Sequence, residues 1–378
     1  MLHKTLFAFS LILIFHLQTQ AQESVLPIGF SVTAGQQAAG KLGDLGTSDN
    51  LDLTIRRTAT QLSPILEIEI DAISPTVPTT FSILVEAAVF SRRSVTQTIE
   101  LFDFELATWE QVDTRLASRF SDATVEVTLD GDLYRFVETG TGRTRARLRF
   151  AGTRTKQSFA ANIDQINWHV TNMTATDADG NVYDTIRMGD QIWMLENLKT
   201  TSMNDGTPIE EHAFDDNWNE GNFTIPKYQW ADTSDLNNLY DYDLPFDFFG
   251  AMYNEATLAS GTLAPTGWRI PSQQDFVDLR SFLASDGQAG IEGTVLKSTT
   301  GWVFDNGTDV YGFNGLPNGY VHTFGGATGA QAVATWATTN TDSLDSRRTV
   351  LNLVVGNPEF AFNPNSQLMG SGVRCIKN

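Results

Sequence analysis

Residues 176–200 read TDADGNVYDTIRMGDQIWMLENLKT, and how this stretch is read decides the fold of the second half of the chain. Its first acids, Asp177 and Asp179, with Gly180 and Asn181, have the composition of a calcium loop. An EF-hand loop needs oxygen ligands at positions 1, 3, 5 and 12 and a glycine at position 6. Counted from Asp177, positions 3 and 5 fit as Asp179 and Asn181, but position 6 is Val182 and position 12 is Met188. The same residues suit a tight turn, because Asp, Asn and Gly tolerate left-handed backbone angles. Val182 to Ile186 then alternates as a strand, and Ile192 to Leu195 supplies another after the turn at Gly189 and Asp190. The stretch therefore reads as a β-meander. Structural calcium is the alternative, and no other cofactor is expected.

Upstream of this stretch, to about Val170, the pattern has a period of two. Leu51–Ile55, Leu66–Ile70, Val125–Leu129 and Ala146–Phe150 each place apolar side chains on one face and polar ones on the other. Such alternation marks strands of an antiparallel sheet with one buried face. Gly, Pro, Ser and Asp clusters separate the runs, and Asp130-Gly131 is expected to close a hairpin. Trp109 is expected to pack on the sheet, and Trp168, within NIDQINWHV (162–170), to lie in the core. Many short strands at this spacing give a β-sandwich. It resembles the jelly rolls of bacterial extracellular proteins, a likeness that names no ligand.

With 378 residues the chain is long enough for two cores. The expected division is a signal peptide over 1–21, a β-sandwich over 22–170 and a second domain over 171–378. The leader has a basic start at Lys4, an apolar run from Leu6 to Leu17 and a small residue at Ala21. That run is short for a bilayer span, so secretion is expected over an N-terminal membrane anchor, to the periplasm or beyond the cell. No later segment is apolar enough for membrane insertion. The single cysteine, Cys375, excludes an internal disulfide and reads as a buried, inert thiol. A net charge of −20 argues against nucleic acid and anionic membranes as partners.

Beyond Val170 clean alternation ends and tryptophan, asparagine and glycine become frequent. The opening stretch, then residues 263–283 (LAPTGWRIPSQQDFVDLRSFL), 296–302 (LKSTTGW), 307–320 (GTDVYGFNGLPNGY), 334–339 (ATWATT) and 370–378 (GSGVRCIKN), together resemble the Fibrobacter succinogenes major paralogous domain. The resemblance covers nearly all of 174–378. It implies a compact α+β unit of the C-type-lectin-like fold, related to formylglycine-generating enzymes, whose helix-entry motif is similar to Trp268–Ser272 here. It implies no family-wide catalytic activity, and the oxidase chemistry of that branch needs two active-site cysteines where this chain has one. One departure stands out: within GAMYNEA (250–256), Glu255 occupies a position usually aromatic, which leaves the local packing open. Elementary rules support the helix independently. Ser272 is a good N-cap, Asp275 stands at N3, and Phe276, Leu279 and Leu283 share one face, so a helix runs from Ser272 to about Ala284. Arg269 is expected to brace that core or pair with a carboxylate.

Catalytic signatures are missing from the sequence. His169, His212 and His322 lie far apart without metal-ligand spacing, so no metal site is expected there. No nucleophile elbow, Walker or dinucleotide motif is present, and no stretch marks a glycosidase carboxylate pair. The segment 214–243, FDDNWNEGNFTIPKYQWADTSDLNNLYDYD, is polar and aromatic. Trp218, Trp230, Asp216, Asn217 and Tyr240 are its candidate binding residues, since sugar rings need an apolar face to stack on and partners for their hydroxyls. The competing reading has Trp218 and Trp230 pinning a surface loop into a small core of its own. The expected function is secreted, non-catalytic recognition of a polysaccharide or cell-surface glycan. The alternatives are an adhesive protein that binds other surface proteins, and an extracellular polysaccharide hydrolase.

Overall fold

The computed structural model describes residues 22–58, 61–155, 157–212, 218, 224–231, 245–342 and 347–378. The expected signal peptide, residues 1–21, lies outside the described residues. Among the described residues no helix is long and apolar enough to cross a membrane.

Among the described residues eleven strands build the first half: β1 Glu23–Val25, β2 Pro27–Ala34, β3 Gln36–Ala39, β4 Leu53–Arg56, β5 Ile65–Ile73, β6 Pro78–Phe90, β7 Val95–Asp103, β8 Thr108–Leu116, β9 Ala123–Thr128, β10 Arg143–Gly152 and β11 Ala160–Asn172. They sort into two antiparallel sheets, one in the order β3-β4-β11-β6-β9 with β1 on β11, the other β2-β5-β10-β7-β8. The chain passes repeatedly from one sheet to the other, as in a jelly roll. The period-two pattern dictates the packing: Leu66, Ile68 and Ile70 of β5 and Leu148 and Phe150 of β10 meet Ile83 and Val85 of β6 and Ile166 and Trp168 of β11 in one cluster. Trp168 is wholly buried, whereas Trp109 lies on the outer face of its sheet with Arg145 and Arg147 over its ring.

One turn differs from its sequence reading. Asp130-Gly131 closes no hairpin, because β9 pairs with β6 and the next strand, β10, pairs with β5 and β7 in the other sheet. Gly131 does take a positive φ of 89°, but the chain then enters a short 3-10 turn, Tyr134–Phe136. Leu133 and Phe136 drop into the sandwich core there. A turn dipeptide specifies a change of direction. Burial of the residues after it decides which sheet the chain joins.

The second half opens with β12 Thr174–Thr176, β13 Val182–Met188 and β14 Gln191–Met194, antiparallel in sequence, with the strand Ile376–Lys377 from the chain end next to β14 and Trp268–Arg269 beyond it. A second five-stranded sheet carries Val333–Asp342, Arg347–Val354 and Phe360–Ser366. The longest helix among the described residues of this half, Gln273–Ser285, begins at the N-cap Ser272 with a full capping box to Asp275 and buries Phe276, Leu279 and Leu283. Arg269 forms a fork with Asp275 at 2.6 and 2.7 Å. Burial raises that carboxyl, and the hydrogen bonds from Arg269 and Ser272 outweigh it, so the net shift is downward. Cys375 is fully buried.

The acids of the opening stretch lie in the turn between β12 and β13, with Thr176 opposite Val182. Asp177 Oδ1 accepts from the backbone N–H groups of Asp179 and Asn181, both at 3.0 Å, and Oδ2 from Asn181 Nδ2 and the Tyr183 hydroxyl at 2.9 and 2.5 Å. Gly180 sits at a φ of 87°, where a side chain is strained. Asp179 Oδ2 accepts from the Thr201 backbone and hydroxyl instead. Protein donors thus reach both oxygens of Asp177 and Oδ2 of Asp179.

Candidate ligand-binding site

The loops at one end of the sandwich enclose a cleft of about 590 Å³. Three connections form it: 91–94 between β6 and β7, 117–122 between β8 and β9, and the described residues 153–155 and 157–159 between β10 and β11. Backbone bonds tie them together. Val89 N–H donates to Ser118 O at 2.8 Å and Phe120 N–H to Val89 O at 3.1 Å, which fixes the second loop on the end of β6. Gln157, 7% exposed, staples the other two: its Nε2 donates to Ser91 Oγ and Ser94 O at 3.0 and 3.2 Å, while its Oε1 accepts from Thr153 N–H at 2.9 Å. The amide fits because Gly152 lies beneath it, where an added Cβ would come within 3.0 Å of the Gln157 side chain. The floor of the cleft is therefore preorganised by a buried, satisfied amide.

Two aromatic rings and three guanidinium groups line the walls. Phe90 and Phe120, 47% and 58% exposed, meet edge to face with centroids 6.1 Å apart. Phe120 holds a φ of 67°, a left-handed conformation rare for a bulky residue and maintained here by the bond to Val89. Arg92, Arg93 and Arg154 are exposed and line the same cleft, with Ser158 beside them. None of the three makes an ion pair among the described residues, in contrast to the arginines on the outer face of the β2–β8 sheet. Among the described residues the lining holds no carboxylate, imidazole or thiol, the groups that general acid–base or thiol chemistry uses. Such an arrangement can stack a ring, donate hydrogen bonds and hold an anion.

The residues singled out in 214–243 fare differently. Asp216, Asn217 and Tyr240 lie outside the described residues. Trp218 is 1% exposed, clustered with Phe249, Met252 and Val321, and it meets the His212 ring at 5.2 Å. Gly370 packs so close that a Cβ there would fall 2.5 Å from the indole. Trp218 is thus a core residue, a correction to its reading as a face for sugar. Trp230 is half-buried and stands between Tyr228 and Phe246, at 5.3 and 5.2 Å, with Phe246 65% exposed. The cleft was missed in the sequence because its residues come from three loops; the signal available was the basic pair in SRRS, residues 91–94, between two strands.

Among the described residues no three His, Cys, Asp or Glu side chains converge as a metal site. Glu255, at the position where an aromatic was expected, is 7% exposed and forms a fork with Arg348 at 2.8 and 2.7 Å, an arrangement that packs the site rather than opening it.

The sequence model described as the Fibrobacter succinogenes major domain matches residues 186–377. No curated protein matches the chain. Solved structures that resemble it include a xylan-binding module, CBM15, at 13% identity, covering 41% of this chain and 99% of that one with a TM-score of 0.29. The N-terminal cellulose-binding domain of Cellulomonas fimi beta-1,4-glucanase C matches at 11% identity, 38% and 90% coverage and a TM-score of 0.27. An exo-beta-agarase matches at 10% identity over 39% of this chain and 24% of its own, with a TM-score of 0.27. At these scores the likenesses say nothing of a ligand.

Proposed function

We propose, from the premise that this chain belongs to the Fibrobacter succinogenes major domain family, that it is a secreted, non-catalytic protein that binds polysaccharide through its N-terminal sandwich. The observation that carries this reading is the cleft: two exposed phenyl rings at a preorganised loop junction, ringed by hydrogen-bond donors. A pyranose offers an apolar C–H face and a rim of hydroxyls, and the cleft offers a partner for each. Among the described residues the lining carries no carboxylate, imidazole or thiol, which supports binding over turnover.

Affinity electrophoresis of the mature chain through gels holding different polysaccharides tests the reading. Retardation by at least one polymer is expected, weakened on the order of tenfold in Kd by Phe90→Ala or Phe120→Ala. Both substitutions change exposed rings, so an unchanged melting curve separates lost contact from lost fold. Retardation that survives both changes but disappears on Trp230→Ala would move the site to the Tyr228–Trp230–Phe246 row. Release of sugar products, or no retardation by any polymer, would overturn the proposal.

A further inference from the structure

We infer that the glycan taken by this cleft is anionic, a polymer bearing carboxylate or sulfate groups, held by Arg92, Arg93 and Arg154. The inference rests on the polysaccharide reading above and goes beyond it by naming the charge of the ligand. Its basis is where this protein leaves arginine unpaired. The chain carries a net charge of −20, so carboxylates are abundant. On the outer face of the β2–β8 sheet they have been brought to arginine: Arg143 to Asp71 at 3.0 Å, Arg145 to Glu69 at 2.8 Å, Arg147 to Glu100 at 2.5 Å, and Arg115 to Asp113 at 2.7 Å. At the cleft the arrangement is reversed. Three guanidinium groups line one concave surface, and among the described residues no carboxylate lines it with them.

Bringing like charges together without a counterion is unfavourable by Coulomb's law, and more so beside the low-dielectric wall of Phe90 and Phe120. An anionic ligand removes that repulsion on binding. Guanidinium forks match carboxylate and sulfate oxygens with two parallel hydrogen bonds, which a neutral hydroxyl cannot equal. Gln157 cannot take the role, because its amide is already engaged in joining the loops. Specificity also follows from the rest of the molecule. Within the salt-screening length of about 8–10 Å the acidic body repels a polyanion, so an anion seated in the cleft is favoured over one lying elsewhere on the surface.

Paired polymers that share a backbone and differ in charge provide the test. Binding of the mature chain is measured for polygalacturonate against its fully methyl-esterified form, and for dextran sulfate against dextran. The expected result is binding at least about tenfold tighter to one charged member than to its uncharged partner; the responding pair tells carboxylate from sulfate. The variant R92Q/R93Q/R154Q should lose that preference while its melting temperature stays unchanged, and the corresponding lysine variant should retain only part of it. Equal affinity for charged and uncharged partners, or a preference that survives the triple variant, overturns the inference and leaves the polysaccharide reading standing. Failure of every polymer to bind overturns both.

Discussion

The two halves of the molecule place their charges on opposite sides of the surface. In the sandwich, Arg143, Arg145, Arg147 and Arg149 alternate along β10 with the buried Thr144, Ala146, Leu148 and Phe150, so the ladder of arginines and its acidic partners faces outward. In the second half Arg374, Lys227 and Lys297 are wholly buried, and Arg348 and Glu255 are nearly so. The difference follows from the backbone. Long strands satisfy one another's N–H and C=O groups, so the core can be purely apolar. Much of the second half is built from short strands and loops, and three of its buried cations serve backbone carbonyls. Arg374 donates to the carbonyls of Phe313 and Asn314, Lys297 to that of Asn357 at 2.9 Å, and Arg348 to that of Thr338 at 2.5 Å.

Removing the buried hub should give the largest effect. Arg374 also donates to Asn197 Oδ1 from Nε and Nη2 at 3.1 and 3.0 Å, and its guanidinium stacks against Phe313 and Trp336, 4.7 and 5.2 Å from their centroids. Burial pushes its pKa down, against the opposing charges of Asp309 and Glu196. Arg374→Ala leaves buried acceptors without donors and opens a cavity, so we expect a loss of about 4 kcal/mol or more. Arg145→Ala on the sandwich face should lose no more than about 1 kcal/mol. Urea melting gives both values. Hydrogen exchange should place the opening of the Arg374 variant in residues 186–377, with the strands of the sandwich still protected. Equal losses for the two arginines would break the comparison.

The Glu255–Arg348 fork sharpens it at intermediate scale. Glu255→Gln removes the charge that faces a buried guanidinium, and we expect a loss of about 2–3 kcal/mol in the same urea experiment. Replacing both residues with apolar ones, Glu255→Leu with Arg348→Met, should recover most of that loss, since the pair's worth lies in mutual compensation. A double variant as unstable as the sum of the single ones would show that Arg348 acts mainly through Thr338 and not through the carboxylate.

What could be read from the sequence divides along the same line. The sandwich strands and the Ser272 helix were legible because their determinants are local: a period of two, a period of 3.6 and a cap. Glu255 was visible as an oddity, but its explanation lies 93 residues away in Arg348, and no local pattern links them. Trp218 looked like a binding face because composition does not distinguish a tryptophan over a polar loop from one beneath it. The cleft was hidden for the opposite reason. Phe120 and Arg154 belong to different loops, and only the crossing of the chain between sheets brings them together. The Asp130-Gly131 turn was placed correctly but joined to the wrong neighbour, because the long-range burial of Leu133 and Phe136 outweighs the hairpin preference of the dipeptide.

Asp164 is the place where the sandwich breaks its own rule, and it should give the smallest effect. It stands at a register shift of β11, 1% exposed, and its Oδ1 has no hydrogen-bond partner. The other buried acid of the sandwich, Asp103, has Arg135 at 2.9 Å. Asp164 has carboxylates around it instead. Burial pushes its carboxyl up, the charges of Glu86, Asp52 and Asp122 add to the rise, and a backbone hydrogen bond from Asp49 opposes it. A carboxyl with a folded pKa above its unfolded value of about 3.9 binds its proton more tightly in the native state. Its contribution therefore turns against folding as pH rises from about 4 through the raised value. Asp164→Asn keeps an oxygen for the Asp49 N–H and removes the charge. We expect the variant to melt higher than the wild type at pH 7, on the order of 2 °C, with the gap closing as pH approaches about 4. Calorimetry across that range, repeated with calcium and with chelator, reads the sign. A variant that melts lower at pH 7, with a wild type that falls to match it on chelation, would mean that a cation neutralises these carboxylates, and that the sandwich pairs its buried acids after all.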